Sequence, residues 1–276
     1  KHTIVRGKQL NYNIKSTMTF VELSQKLLKH AIDSFPQEVL VPGESRSGLF
    51  RSTNIFWEKI ATLRKYTDSG ADNFSEKHHG STGWEYEIMM AYIDGKFFYS
   101  SPTTSKDYTQ VQSKHSLRFE MEHDPRSKTP SVKDHIFIDD KKVGSLVAHG
   151  PEQIQARNRK MQEKTFQAGF VCHFHSHPQI QLQGSKRRIY TFFSPQDLNS
   201  LMYGSTPIMG LVTDRLWLLV KPPTNNLPPT RQELQEVTRV EVQDPESLTN
   251  AAGKLMQKYN WTLYTAKFGA GKLVKV

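Results

Sequence analysis

The chain has 276 residues, which is long enough to bury a sizeable core in one large domain or two small ones. Its formal net charge of +10 at pH 7 favours an acidic partner. No apolar run approaches the length of a membrane-spanning helix and no signal peptide is visible, so no membrane partner is expected. The single cysteine excludes a disulfide within the chain and predicts a cytoplasmic setting.

Residues 1–78 are predicted to form an N-terminal helical extension. Thr19 and Glu22 make a capping-box pattern. The apolar residues that recur at helical spacing around them are Phe20, Leu23, Leu27 and Ala31. A second helix is predicted from Ile55 to Tyr66, with an apolar face of Phe56, Ile60 and Leu63. The simplest interpretation of both apolar faces is core or docking surface.

Residues 79–276 are predicted to form one α+β domain with a mixed sheet flanked by helices. A hairpin opens it, because an apolar strand precedes Asp94-Gly95 and an aromatic strand follows. Residues 101–150 are predicted to be irregular apart from two short strands, at 136–138 and 143–147. A polar helix is predicted over 153–166.

The last third of the chain alternates between helix and strand signals. An apolar strand is predicted from Phe170 to His175, and a helix begins at Ser194. Between them, residues 179–193 contain a hairpin signal, since a central Gly-Ser stands between alternating apolar positions. The later predicted elements are strands at 208–212 and 216–220, a helix at 247–258, and a terminal hairpin through Gly269 and Gly271.

The run from Cys172 to Pro178, Cys-His-Phe-His-Ser-His-Pro, is the most informative part of the sequence. Two histidines one residue apart on a strand project to the same face, close enough to bind one metal ion. A carboxylate from a following helix completes a three-ligand set with an open fourth position, as in catalytic zinc sites. Taken alone, His-x-His is more often structural, and Ser194 to Asp197 is also the pattern of an ordinary helix start. The conjunction of the two patterns favours a metal site.

These residues resemble the signature of the JAMM (JAB, MPN+) metalloproteases, His-[Ser/Thr]-His-Pro followed by Ser-x-x-Asp. The resemblance covers about residues 80–221 and implies a cytidine-deaminase-like mixed sheet. It also implies Zn2+ held by His175, His177 and Asp197, with Ser194 as oxyanion donor. The segment between Pro178 and Ser194 is longer than is usual in the family.

The family's general base is an upstream glutamate on a separate strand. Glu85 and Glu87 are both candidates, and their equal parity predicts that both face one side of the sheet. An ungapped alignment with bacterial JAB-like domains selects Glu85 and leaves Glu87 as the alternate. Without the histidine motif, both would be interpreted as ordinary solvent-facing acids. His173 is assigned to a neighbouring or core position.

The resemblance implies zinc-dependent hydrolysis of an isopeptide or peptide bond, with the C-terminal tail of ubiquitin or a ubiquitin-like protein as substrate. Lys186, Arg187 and Arg188 are candidates for contact with an acidic partner, although a solvated face is the simpler interpretation. Two other classes stay open: a non-catalytic MPN-type scaffold, and a nucleic-acid-directed protein with a basic insertion. Nucleic acid is the less favoured partner, because no recognisable nucleic-acid motif is present.

Overall fold

The computed structural model describes residues 20–33, 55–69, 83–104, 115–124, 128–181, 187–222, 227–244, 247–267 and 273–276. The chain divides into two compact units. The meander unit comprises residues 89–101 and 113–170, and the histidine unit comprises residues 20–88, 102–112 and 171–276. Helices and strands mix in an α+β arrangement with a mixed sheet flanked by helices, as predicted.

The predicted hairpin that opens the domain is confirmed. Strand β1 (Glu87–Ile93) pairs antiparallel with β2 (Lys96–Tyr99). Asp94 and Gly95 both have positive φ, at 40° and 96°. Two central residues with positive φ are typical of the tight turn whose twist matches that of the flanking strands.

The meander unit corrects the prediction that residues 101–150 are irregular. It contains a three-stranded antiparallel sheet of β3 (Leu117–Asp124), β4 (Ser131–Ile138) and β5 (Lys141–His149). The two short predicted strands are parts of β4 and β5. Strand β3 was missed, although its first five residues alternate between apolar and charged side chains, as half-buried strands do.

Helix α3 (Gly150–Gln162) confirms the predicted polar helix but begins and ends earlier than expected. None of its residues is buried. Its polar side chains instead bind neighbours in the meander unit: Arg157 Nε donates to Asp134 Oδ2 at 2.7 Å, and Lys160 Nζ contacts Asp94 at 2.8 Å. These ion pairs and the packing of Met161 against the apolar core of the unit hold the helix.

The histidine unit is built on a mixed sheet. Strand β6 (Ala168–Ser176) runs parallel to β9 (Ile208–Val212) over residues 172–176. Strands β10 (Arg215–Val220), β11 (Thr262–Lys267) and β12 (Val274–Lys275) continue it in antiparallel order. The predicted strands and the terminal hairpin are confirmed, while Gly269 and Gly271 lie outside the described residues.

Three helices pack against this sheet in one apolar core: α4 (Pro195–Tyr203), α5 (Arg231–Gln243) and α6 (Leu248–Lys258). The starts of α4 and α6 were predicted correctly to within a residue. Helix α5 was missed, although the sequence carries its start signal. Thr230 and Glu233 form a capping box, and Leu234 and Val237 then face the core at helical spacing.

Both predicted N-terminal helices are confirmed, as α1 (Phe20–Asp33) and α2 (Ile55–Ser69). The predicted apolar face of α2 is buried, and the Phe56 ring lies edge-on to Phe174 of β6, with centroids 5.7 Å apart. Both helices belong to the histidine unit. The predicted boundary near residue 78 falls outside the described residues and stays a prediction.

The segment between β6 and α4 contains the predicted hairpin. Strands β7 (Ile180–Gln181) and β8 (Arg188–Ile189) pair antiparallel, with Ile180 opposite Ile189. The hairpin tip, including Lys186, lies outside the described residues. Among the helices that the structure describes, none combines the length and apolar character needed to cross a membrane.

Close packing of β6 on β9 generates a stability prediction. A Cβ added to Gly210 would lie 2.7 Å from Cε1 of Phe174, a side chain with no solvent exposure. Gly210→Ala should lower the free energy of unfolding by about 1–3 kcal/mol, because the core cannot absorb the added methyl group. Chemical denaturation measures this.

Gly169→Ala is the matched control, because an added Cβ at this β6 position would meet no atom within 4 Å. It should leave the unfolding midpoint nearly unchanged. Equal destabilisation by both substitutions would contradict the packing argument.

Candidate metal centre

Strand β6 positions His175 and His177. His175 lies opposite Leu211 of β9, and just past the strand end His177 N donates to Val212 O at 3.2 Å. Both side chains are buried, with residue exposures of 1% and 6%. Their Nε2 atoms are 3.2 Å apart, so the two imidazoles converge on one point.

Helix α4 brings Asp197 to the same point. Ser194 is the N-cap: its Oγ accepts from Asp197 N at 3.2 Å, and its own N–H donates to Asp197 Oδ2 at 2.7 Å. This reciprocal capping box fixes the carboxylate. Asp197 Oδ1 lies 3.4 Å from His175 Nε2, and Oδ2 lies 3.6 Å from His177 Nε2. Asp197 therefore belongs both to the capping box of α4 and to the three-donor cluster.

The donor spacing fits one zinc ion. Ligands about 2.0–2.2 Å from zinc in a tetrahedral set lie about 3.3–3.6 Å from one another. The Nε2 atoms of His175 and His177 are 3.2 Å apart, and each lies 3.4–3.6 Å from a different carboxylate oxygen of Asp197. Imidazole and carboxylate are also donors that zinc accepts readily. Both the spacing and the chemistry of the donor set thus meet the requirement.

Thr191, at the end of the inserted hairpin segment, orients one of the two histidines. His177 Nδ1 lies 2.9 Å from Thr191 O and 3.1 Å from Thr191 Oγ1. A proton held on Nδ1 in this way leaves the Nε2 lone pair of a neutral imidazole for a metal. His175 Nδ1 is buried and has no hydrogen-bond partner among the described residues. Among the described residues, therefore, a hydrogen bond at Nδ1 orients the ring of His177 but not that of His175.

Charge within the cluster is unevenly distributed. Burial lowers the pKa of His175. Burial acts in the same sense on His177, but the carboxylates of Asp197 and Glu85 outweigh it and raise the pKa of His177 to about 9. Burial would raise the pKa of Asp197, yet the two imidazoles hold it well below its usual value. Without a metal, a protonated His177 therefore faces an ionised Asp197 at neutral pH.

The two candidate glutamates lie beside different histidines. Glu85 Oε1 is 3.8 Å from His177 Nε2, whereas Glu87 Oε2 is 2.8 Å from His173 Nε2. Glu87 also accepts from Thr103 Oγ1 at 3.3 Å. Both glutamates are buried, with exposures of 7% and 0%, so their interpretation as solvent-facing acids is wrong. That the two glutamates share one face of the sheet stays a prediction, since β1 begins only at Glu87.

Sequence reasoning missed the side chains that surround the cluster. It identified the three donors, Ser194 and both glutamates, but not Thr191, and it assigned His173 no partner. A threonine in a loop carries no sequence signal for contact with a histidine fourteen residues earlier. Arg187 and Arg188, predicted to contact an acidic partner, are exposed on and next to β8.

Comparisons of the chain with protein-family models, with curated proteins and with solved structures each found no match. The assignment of the candidate metal centre therefore rests on the arrangement of the residues themselves and on the sequence resemblance.

The pairing of His177 with Asp197 generates a pH prediction for the metal-stripped protein. NMR titration of the His177 ring should give a pKa of about 9 in the wild type. Asp197→Asn should lower that pKa by about one unit or more, because it removes the nearest negative charge. A wild-type His177 that titrates at the ordinary value of 6.5 would contradict the described geometry.

The interaction of His177 with Asp197 should also change how the free energy of unfolding depends on pH. Because the pKa of His177 is raised in the folded state, its stabilising contribution is complete below about pH 6.5 and disappears as pH rises through about 9. The difference in unfolding free energy between wild type and Asp197→Asn, both metal-stripped, should accordingly shrink over that interval.

Proposed function

We propose that this chain is a zinc-dependent hydrolase of the JAMM type that cleaves an isopeptide or peptide bond. The observation that carries the proposal is the convergence of three buried or partly buried donors: the Nε2 atoms of His175 and His177 are 3.2 Å apart, and a carboxylate oxygen of Asp197 lies within 3.6 Å of each. A further buried carboxylate, Glu85, lies 3.8 Å from one of them. Three ligands and one base match what metal-assisted hydrolysis requires.

Zinc, when bound by these three residues, supplies a Lewis acid and makes water nucleophilic at neutral pH. Glu85 is the proposed general base. Its carboxylate lies beside the donor cluster, where it accepts a proton from the attacking water and later delivers one to the leaving amine. Glu87 is less suited, because its carboxylate already binds His173 and Thr103.

Ser194 is the proposed oxyanion donor. Its Oγ accepts the N–H of Asp197, which uses a lone pair and leaves the hydroxyl proton available. The capping geometry places this hydroxyl three residues from a proposed ligand, on a helix start that the core of the histidine unit holds in place. A fixed donor at this position stabilises negative charge as it develops on the carbonyl oxygen.

A ubiquitin or ubiquitin-like tail is the proposed substrate. The sequence resemblance supports this class, and the exposed Arg187 and Arg188 provide positive charge for an acidic partner. Strand β8 leads within two residues to Thr191, which contacts His177. A partner bound along β8 would therefore contact residues that are close in the sequence to Thr191, which lies beside the candidate metal centre.

Metal content distinguishes this proposal from the scaffold alternative. The purified wild type should contain about one zinc per chain. His175→Ala and Asp197→Asn should lose most of it, because each removes one donor or its charge. His123→Ala is the control, since His123 is an exposed histidine of β3 outside the three-donor cluster. Absence of zinc from the wild type, even after zinc is supplied, would favour the scaffold.

Hydrolysis assays test which of the two glutamates is the general base. With di-ubiquitins and ubiquitin-like fusions as probes, Glu85→Gln should lower kcat by about 100-fold or more while zinc is retained, because it removes proton transfer. Glu87→Gln should retain most activity. A larger loss in Glu87→Gln would reverse the assignment. If zinc-loaded wild type cleaves none of the probes, the substrate class fails and the metal centre stands.

A further inference from the structure

The C-terminal half of α2 contacts the residues that adjoin the candidate metal centre along the chain. Thr67 is 2% exposed, and its Oγ1 hydrogen-bonds to Ser176 Oγ. Ser176 is itself fully buried and separates His175 from His177 in the sequence. A side chain from α2 is thus bonded to the residue between two proposed ligands.

This contact is one step in a continuous set of hydrogen bonds. Tyr86 N donates to Ser176 Oγ at 3.2 Å, and Thr67 Oγ1 donates to Leu63 O at 3.2 Å. These two contacts and the bond between the hydroxyls are made together when Ser176 donates to Thr67; Tyr86 O, which also lies 3.3 Å from Ser176 Oγ, then accepts from Ser176 N. The protons then point in one direction, from Tyr86 through both hydroxyls to the α2 backbone, and bonds in such chains strengthen one another.

The segment that carries Glu85 is held by the same half of α2. Ser176 N donates to Tyr86 O at 2.9 Å, and the Tyr86 ring lies against Tyr66, with centroids 5.5 Å apart. Gly83 approaches closely enough that an added Cβ would lie 2.7 Å from Thr67 O and 3.6 Å from Pro178 Cβ. Residues 83–86 are therefore fixed between α2 and the end of the histidine motif.

A third contact reaches the residue before Thr191. The Arg64 guanidinium lies over the Tyr190 ring, 4.1 Å from its centroid, and also hydrogen-bonds to the Tyr190 hydroxyl. Asp68 orients the guanidinium, accepting from Arg64 Nε at 2.8 Å. Since the next residue, Thr191, binds His177 Nδ1, this contact links α2 to the side of the His177 ring opposite the donor atom as well.

We infer that α2 is a positioning element of the metal centre and that Thr67 is its central positioning residue. Thr67 is bonded to Ser176, which is bonded to Tyr86, so it acts through these two residues. The apolar face of α2 already anchors the helix through Phe56, Ile60 and Leu63. The buried hydroxyls of Thr67 and Ser176 also fix the orientation of α2 relative to β6. Hydrogen bonds set a separation and an angle that apolar contacts leave adjustable. For its effect on zinc, the inference rests on the proposed function.

The test compares Thr67→Val, which keeps the shape and removes the hydroxyl, with Thr67→Ser, which keeps the hydroxyl. The first readout is amide hydrogen exchange in metal-stripped protein. Thr67→Val should accelerate exchange at Tyr86 and Ser176 by about tenfold, while Leu218 of β10 keeps its rate. Thr67→Ser should restore wild-type exchange at both amides.

The second readout is zinc affinity, measured by competition with a chelator. Residues that orient metal ligands typically change metal affinity about 10–100-fold when replaced. Thr67→Val should weaken zinc binding by about that factor, and Thr67→Ser should stay close to wild type.

The outcomes separate this inference from the proposed function. Unchanged local exchange in Thr67→Val overturns the positioning role. Accelerated exchange with unchanged affinity in a zinc-binding wild type also overturns it, since the hydroxyl pair would then serve stability alone. A wild type that binds no zinc refutes the proposed function, while the exchange result still decides whether Thr67 holds Tyr86 and Ser176.

Discussion

The carboxylate of Asp197 is the constraint on which the candidate metal centre depends. One of its oxygens accepts the Ser194 N–H and so closes the first turn of α4. The same carboxylate faces the Nε2 atoms of His175 and His177. Helix capping normally satisfies backbone groups with a side chain that points along the helix start. Here that orientation also aims the negative charge at two buried imidazoles, so local helix chemistry determines the geometry of the cluster.

A buried carboxylate requires a compensating positive charge, and the histidine unit can provide one in two ways. Without a metal, His177 retains a proton, because Asp197 and Glu85 raise its pKa to about 9. A divalent cation would supply the same compensation from the same position, and His177 would then have to release its proton. Metal binding at this site should thus be coupled to proton release. In the metal-free protein the two imidazoles hold the pKa of Asp197 well below its usual value, so its carboxylate is ionised at neutral pH.

Sequence patterns predicted the parts of the structure that local rules determine. The capping box at Ser194, the Asp94-Gly95 turn and the apolar strand before the histidines each depend on neighbouring residues, and all three were identified correctly. Strand β3 was obscured by its charged residues, despite the alternation that identifies a half-buried strand. Helix α5 directly follows Pro228-Pro229, a pair typical of a loop, and its capping box begins immediately afterwards.

Contacts between distant parts of the chain left no comparable sequence signal. Thr67 and Ser176 are separated by more than one hundred residues, and nothing in either neighbourhood indicates the other. The choice between Glu85 and Glu87 shows the same limit. Equal parity predicts one face of the sheet for both side chains and so gives no basis for choosing between them. Only the packed structure separates them, with Glu85 beside His177 and Glu87 beside His173.

The long segment between Pro178 and Ser194 shows why sequence distance is a poor guide to the geometry of such a site. Within this segment Ile180 pairs with Ile189, which brings the two ends of a hairpin together. Loop length of this kind costs little free energy, because closure entropy grows only slowly with length. The returning strand then delivers Thr191 to His177 Nδ1. The segment is long in sequence, yet its end lies beside the histidine motif, where Thr191 contributes a hydrogen bond that orients one of the proposed ligands.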